Sequence, residues 1–473
     1  MNLNVVILAA GRGKRMKSEI PKVLHEILGM PMLWYVLDAV KPLRPQNTVV
    51  VIGNGAELVK TRMAGEDHLS FVIQRQLLGT GNALAIAREK LKKGPVLVLN
   101  GDCPLITTTT LRGLINKHIR NKNTLSLLSF TDSAISGYGR IFRDEKGRAI
   151  GIVEDRHATP DEKRKFNELN GGVYIMEEEA LRYLNMVKKN RSSGEYYLTD
   201  IVEIAAKDGK KVNAYQCASE EIRGVNTREE LFRVSEILRD RITKKWMMRG
   251  VTFIDPATAF VSPLAEIGKD TIIYPGTYLE GRVRIGKSCM IYQGSRISES
   301  ILGNGVVIKD NTVVEESRIG DGSAIGPFAH LRPHSEIGRA VKIGNFVETK
   351  KSVIKEGSKA SHLTYLGDAV VGRNVNIGAG TITCNYDGRN KFKTVIESDV
   401  FIGSDTQLVA PVKIGKGAYV AAGATITRDV PAGDLAISRT KQQNLRGWAK
   451  KKRREEARKR KETRKLQEFG DVL

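Results

Sequence analysis

Ile285-Gly286-Lys287-Ser288-Cys289-Met290-Ile291-Tyr292-Gln293-Gly294-Ser295-Arg296-Ile297 places isoleucine at every sixth position, a period no helix has. The pattern extends outward. Upstream it takes in Ile267, Ile273 and Leu279; downstream it restarts after a four-residue step as Ile301, Val307, Val313, Ile319, Ile325, Leu331, Ile337 and Ile343. A third register reads Val353, Tyr365, Val371 and Ile377, then Ile402, Leu408, Ile414, Val420 and Ile426. Three short strands and three turns, about eighteen residues, make one coil of a parallel β-helix whose stacked apolar positions form a continuous core. Glycine follows the apolar residue at Gly268, Gly286, Gly338, Gly403 and elsewhere, which points to tight corners whose torsions exclude larger residues. A β-helix fixes shape and not function, so chemistry is sought where the repeat is broken. Between Arg332 and Tyr386 the bland coils carry Arg332, Glu348, Lys350, His362, Tyr365, Asn376, Asn385 and Tyr386, and residues 384–400 read as a protruding loop with Lys391 and Lys393.

The chain has 473 residues, 41% of them hydrophobic and 6% aromatic, enough for more than one core. No run approaches eighteen uncharged apolar residues, and the start goes straight into a strand pattern, so the expectation is a cytoplasmic protein. Cys103, Cys217, Cys289 and Cys384 lie far apart and suggest neither a zinc site nor a disulfide framework. Of the net charge of +23, residues 441–473 supply +8, from thirteen Lys/Arg against five Asp/Glu. This basic tail reads as a solvated helix from Lys450 to Gln467; contact with nucleic acid or an anionic membrane is the functional alternative to a frayed end. Trp448 either packs near a ligand or anchors the tail.

Residues 1–226 alternate apolar runs with helical patterns, which argues for an α/β layered domain around a largely parallel sheet. The strands expected are 3–8, 49–52, 71–74, 96–99, 124–130 and 172–176, with functional loops after their carboxyl ends. The first such loop is Leu8-Ala9-Ala10-Gly11-Arg12-Gly13-Lys14-Arg15-Met16. Small residues there let backbone N–H groups approach an anion, and Arg15 and Lys22 offer charge suited to a triphosphate. It is neither a Walker loop nor a complete dinucleotide fingerprint. Arg228 to Met248 forms one helical pattern with Leu231, Val234, Ile237 and Leu238 on a face, read as a semi-rigid rod between two domains.

That loop, followed by Pro21-Lys22-Val23-Leu24, resembles the signature of sugar-1-phosphate nucleotidylyltransferases. Gln74, Leu78-Gly79-Thr80-Gly81, Asn100-Gly101-Asp102, Gly139, Glu154, Asn170 and Asn226 continue the resemblance in order. It implies attack of a sugar phosphate oxygen on the α-phosphorus of a nucleoside triphosphate, with Arg15 and Lys22 as catalytic cations and Mg²⁺ on Asp102 and Asn226. Leu8 to Gly11, Gln74, Gly79, Thr80, Asn100 and Gly101 would hold the nucleotide, and Gly139, Glu154 and Asn170 the sugar. Taken singly, Asp102 could cap a turn and Glu154 could be a surface charge.

Gly344-Asn345-Phe346-Val347-Glu348-Thr349-Lys350, Ser361-His362-Leu363-Thr364-Tyr365-Leu366-Gly367-Asp368 and Thr381 to Gly388 resemble a glucosamine-1-phosphate acetyltransferase. The two halves together are similar to the family of bacterial bifunctional N-acetylglucosamine-1-phosphate uridylyltransferases/glucosamine-1-phosphate N-acetyltransferases, which implies a Rossmann-like nucleotidyltransferase domain followed by a left-handed parallel β-helix of hexapeptide repeats. Boundaries expected on this reading are 1–226, a linker helix at 227–250, the β-helix at 251–440 and the tail at 441–473. His362 is the expected base, because acetyl transfer needs a deprotonated amine. Arg332 and Lys350 would clamp the sugar phosphate, with Tyr365 and Asn376 orienting its ring. The resemblance further implies acetyl-CoA held around Ala379, Asn385, Tyr386, Ser404, Ala422 and Arg439, and a homotrimer in which Asn385 or Arg439 of one chain serves His362 of another. Glu348 is expected either to orient His362 or to make a structural bond. The rival is a β-helix that only regulates and oligomerises, as in nucleotidylyltransferases making ADP-glucose or GDP-mannose.

Overall fold

The computed structural model describes residues 2–66, 68–132 and 136–470, with side chains to residue 464; the last three residues of the expected basic tail lie outside this range. The chain forms two compact units, 1–328 and 329–473.

The first unit opens with a twisted sheet. Its strands are β1 (Asn4–Ala9), β2 (Asn47–Ile52), β3 (Leu69–Ile73), β4 (Val96–Asn100), β5 (Leu125–Thr131), β6 (Arg140–Arg143), β7 (Ala149–Val153), β8 (Glu168–Met176) and β9 (Val212–Gln216). They lie in the order β9-β5-β8-β4-β1-β2-β3, with β6 pairing β8 and β7. β1 runs parallel to both β2 and β4, whereas β8 is antiparallel to β4 and β5. β1 is apolar from Val5 onward because both its faces are covered: Val5 and Ile7 join one core, Val6 the other. The six expected strands are all present. Sequence reading passed over β6, β7 and β9, whose runs Arg140–Arg143 and Val212–Gln216 are short and mixed with polar residues.

Helix α1 (Thr80–Ala87) follows β3, and α2 (Arg228–Met247) leaves the sheet. A capping box at Thr227 and Glu230 starts α2: each reaches the other's backbone N–H. Val234 and Leu238 are buried with Met32, Trp34 and Leu105, and Leu264 of the first coils packs on the same cluster. α2 is thus a packed element of the first unit and not a free-standing rod.

Coils of β-helix occupy the rest of both units. In the first unit Ile267 stands beside Ile285 in the next coil, and Ile285 beside Leu302. In the second, Leu331 pairs with Thr349, Ile354 with Val371 and Ile402 with Val420. The coils differ from the sequence reading in three respects. Leu302, Ile308, Val314, Ile354 and Leu366 are buried, so Ile301, Val307, Val313, Val353 and Tyr365 sit one place outside the core. The step between inward positions there is five residues, from Ile297 to Leu302 and from Val314 to Ile319, and not four. Second, the corner glycines Gly268, Gly286, Gly338 and Gly403 are set by crowding and not by torsion: a Cβ on Gly268 would meet the Gly286 carbonyl carbon and oxygen at 2.5 Å. The inserted loop is also shorter than expected, since Thr394–Ile396 already pairs again with 369–371.

Candidate functional sites

The front site forms where neighbouring strands end. Leu8 of β1 lies beside Asn100 of β4, and Gly101 N–H donates to the Leu8 carbonyl at 2.9 Å, so the loops after both strands meet. Lys22 begins a short 3₁₀ turn, 22–24. Its ammonium is ion-paired with the Asp102 carboxylate and donates to Asn226 Oδ1 at 2.7 Å. Asn226 is held in turn by its own backbone N–H, which donates to Glu230 at 2.5 Å, tying it to the first turn of α2. Two hard oxygen donors from segments far apart in sequence therefore converge on one cation, an arrangement that suits a divalent metal of the Mg²⁺ kind.

Two adjoining cavities share Leu8, Thr80, Asn100, Asp102 and Glu154. One, of about 770 Å³, is lined by residues 8–14, Lys22, Gln74 and Gly79. The other, of about 530 Å³, takes in Arg15, Gly139, Asn170 and Asn226. Gln74 is buried and its amide donates to the Gly79 carbonyl at 3.1 Å and to Asn82 at 2.8 Å, which fixes its orientation. Gly79 has φ +92°, and a Cβ there would strike the backbone of Tyr196. The Thr80 hydroxyl accepts from Leu198 N–H at 3.1 Å, and Glu154 accepts from the Thr199 hydroxyl at 2.8 Å. Asn170 donates to the Tyr174 hydroxyl at 2.7 Å. Ala9 and Ala10 are buried, Gly11 is open, and Arg15 is exposed at the cavity edge. Tyr138 was passed over, although it stands between two glycines: it accepts from Gly224 N–H at 3.0 Å, and burial pushes its phenol up to about 12.

The back site is built by the second unit's repeat. β10 (Lys342–Lys350) and β11 (Lys359–Gly367) run side by side, with Asn345 beside His362 and Glu348 beside Tyr365. His362 Nδ1 lies 2.6 Å from Asn345 Oδ1, so the ring donates there and leaves Nε2 as the acceptor. Glu348 instead pairs with Arg332 at 2.8 Å: of the two roles expected for it, the geometry gives the structural bond. Aligned neighbours Ile343, Ala360, Ile377, Ile402 and Val420 place Asn345, His362, Ala379, Ser404 and Ala422 at equivalent points of successive coils. Arg439 closes this column by donating to the Ala422 carbonyl at 2.6 Å. His362, Ser404 and Ala422 are exposed.

Beside the column Lys391 of the inserted loop, and more weakly Arg332, hold the Lys350 ammonium below the usual lysine range. Such crowding of like charge is relieved by a multiply charged anion. Asn385 is buried and its amide donates to Asp368 at 2.5 Å, anchoring the loop, while Tyr386 is exposed with its hydroxyl on the Gly388 carbonyl at 2.6 Å. Tyr365 is half-buried against Gly367, and Asn376 lies between Lys359 and Phe401 in the neighbouring coils. The tail helix α3 (Trp448–Gly470) is exposed along its described side chains, with Lys452 over the Trp448 ring at 4.9 Å. Among the described residues no helix is long and apolar enough to cross a membrane.

These two arrangements define a nucleotidyltransferase joined to a hexapeptide-repeat transferase. Residues 5–136 match the MobA-like NTP transferase domain, residues 256–335 the GMPPB C-terminal domain and residues 393–428 the bacterial transferase hexapeptide (six repeats). The bifunctional protein GlmU of Thermodesulfovibrio yellowstonii is 51% identical over 96% of this chain and 100% of its own, and that of Thermoanaerobacter pseudethanolicus 48% identical over 95% and 98%. The chain belongs to the bifunctional GlmU family. It is an enzyme with two activities, acetyl transfer and uridylyl transfer in UDP-N-acetylglucosamine synthesis, and its substrates include a nucleotide and acetyl-CoA. Its back half is a left-handed parallel β-helix.

Proposed function

We propose that the two sites divide the reactions, with acetyl transfer to glucosamine 1-phosphate in the back half and uridylyl transfer from UTP to N-acetylglucosamine 1-phosphate in the front. The observation that carries the front reading is the convergence of Asp102 and Asn226 on the Lys22 ammonium. Asp102 and Asn226 would hold Mg²⁺, which when bound supplies positive charge to the phosphates. Lys22 then turns toward the transferring phosphoryl group, and Arg15, exposed at the cavity edge, neutralises the departing pyrophosphate. Gln74, Gly79 and Thr80 read the base; Leu8 to Gly11, Asn100 and Gly101 surround the nucleotide; Gly139, Glu154 and Asn170 hold the sugar. The sugar phosphate oxygen forms the new bond to the α-phosphorus as the bond to pyrophosphate breaks.

In the back half His362 Nε2 takes a proton from the amine as nitrogen bonds to the acetyl carbon and the thiolate of coenzyme A leaves. Asn345 keeps Nδ1 protonated and so directs Nε2 to that task. Arg332 and Lys350, with Lys391, clamp the sugar phosphate; Tyr365 and Asn376 orient its ring; Ala379, Asn385, Tyr386, Ser404, Ala422 and Arg439 hold acetyl-CoA. The exposure of His362 on a single chain supports a homotrimer in which a neighbour's Asn385 or Arg439 completes the site. The functional boundaries on this reading are 1–226, 227–250, 251–440 and 441–473, and the setting is cytoplasmic.

The test is turnover by the full chain with each nucleoside triphosphate, with and without Mg²⁺ and acetyl-CoA. UTP should be consumed with N-acetylglucosamine 1-phosphate alone, but with glucosamine 1-phosphate only when acetyl-CoA is present. Normal UTP consumption with no acetylated amino sugar in any oligomeric form would overturn the two-site reading.

A further inference from the structure

His25 is buried at 4% exposure and takes part in none of the contacts described so far. It follows directly on the 22–24 turn that carries Lys22, and its backbone N–H donates to the Lys22 carbonyl at 3.2 Å. Its Nδ1 lies 3.1 Å from Nη1 of Arg228, the first residue of α2, two places beyond Asn226. A guanidinium only donates, so Nδ1 must accept and the imidazole is neutral with its hydrogen on Nε2. Burial, and then Arg228, hold the ring below the usual histidine range, in agreement with that assignment. Nε2 is buried without a hydrogen bond of normal geometry. Its contact there is a weak one with the backbone at Ile20, so the well-formed hydrogen bond that the imidazole contributes is at its other nitrogen.

We propose that His25 is a positioning residue for uridylyl transfer: by accepting from Arg228 it locks the turn bearing Lys22 to the start of α2 that bears Asn226. The inference rests on the front-site reading above. Chain segments 203 residues apart are joined at this bond, and the Lys22 ammonium meets Asn226 Oδ1 beside it at 2.7 Å. Without the bond, Asn226 would still be tied to Glu230 and to the Gly224 carbonyl, but the turn that carries Lys22 would no longer be fixed to the start of α2 through a buried contact, and the spacing between Lys22 and the metal donors would loosen.

The experiment compares His25→Leu, His25→Asn and Arg228→Met in the full chain. Asn places an oxygen acceptor near the position of Nδ1; Leu does not. His25→Leu and Arg228→Met should each lower uridylyl kcat about tenfold and raise the Mg²⁺ needed for half-maximal rate, as loss of an outer partner of metal donors does. The double variant should be no worse than either alone, His25→Asn should recover most of the rate, and acetyl transfer by the same chains should stay at the wild-type level. If His25→Leu loses acetyl transfer as well, it has lost its fold, and Arg228→Met and His25→Asn then decide. Uridylyl turnover within twofold of wild type for Arg228→Met, or His25→Asn as impaired as His25→Leu, would overturn the proposal. Wild-type turnover of UTP, measured alongside, tests the front-site reading separately.

Discussion

The two sites of this chain are assembled in opposite ways. In the front half, Lys22, Asp102 and Asn226 come from three loops far apart in sequence and are held by one another and by the start of α2. In the back half, Asn345, His362, Ala379, Ser404 and Ala422 are one position of the coil repeated, and much of that column faces solvent. A tertiary site arrives with its charges already paired; a column on a repeat arrives with a shape and with few partners. The front site is therefore sensitive to any shift between its loops. The back site depends on single side chains and on whatever covers its open face.

The sharpest way to break this comparison is His362→Ala. Loss of a general base should cost about 10²- to 10⁴-fold in acetyl transfer, measured as free thiol released from acetyl-CoA, while uridylyl transfer is untouched. Acetyl transfer at the wild-type rate would remove His362 from the role of base. Next comes Lys22→Ala, which removes the cation on which Asp102 and Asn226 converge. It should lower uridylyl transfer by about 10²- to 10³-fold, read as pyrophosphate release, with acetyl transfer unchanged. A parallel fall in both activities would mean that the sites are not separate.

Asn345→Ala sharpens the comparison within the back half, because the imidazole would remain but lose the acceptor that fixes its orientation. A fall of about tenfold in acetyl-transfer kcat with little change in KM is expected, since the loss is one of alignment. Equal loss in Asn345→Ala and His362→Ala would mean instead that Asn345 touches the reacting groups directly.

The same contrast explains what could be read from the sequence. A repeat writes its core many times over, so the period named the β-helix from isoleucines and valines alone. It slipped at Ile301-Leu302, Val307-Ile308, Val313-Val314 and Val353-Ile354, where two adjacent apolar residues leave the inward one undecided until neighbouring coils are aligned. Asn345 was missed for a related reason: it faces His362 only because that coil takes seventeen residues, a length the six-residue count does not give. In the front half the glycine loop after β1 was legible as local chemistry. The His25–Arg228 bond was not, because nothing local to either residue points to a partner 203 positions away.

The smallest expected effect lies in the charge the front site stores. Burial, then Glu154 and Glu203, push the Asp200 carboxyl up to about 6, just past the Thr199 hydroxyl that binds Glu154. A folded value raised above that of the unfolded chain means that the native state holds the proton longer. Asp200's contribution to stability is then fully present below about pH 4 and is lost as pH rises through about 6. Asp200→Asn, which cannot ionise, should therefore leave the urea midpoint of the first unit unchanged at pH 4 and raise it at pH 8. The expected gain is about 1 kcal/mol once solvent screening of a half-buried group is allowed for. The back site offers no counterpart, because its crowded cations, Lys350 and Lys391, lie at the surface where substrate phosphate and salt both reach them. Added phosphate should accordingly change the stability of the Asp200→Asn and wild-type chains by the same amount. A difference between them would place an anion at the front carboxylates, against the charge arrangement argued for that site.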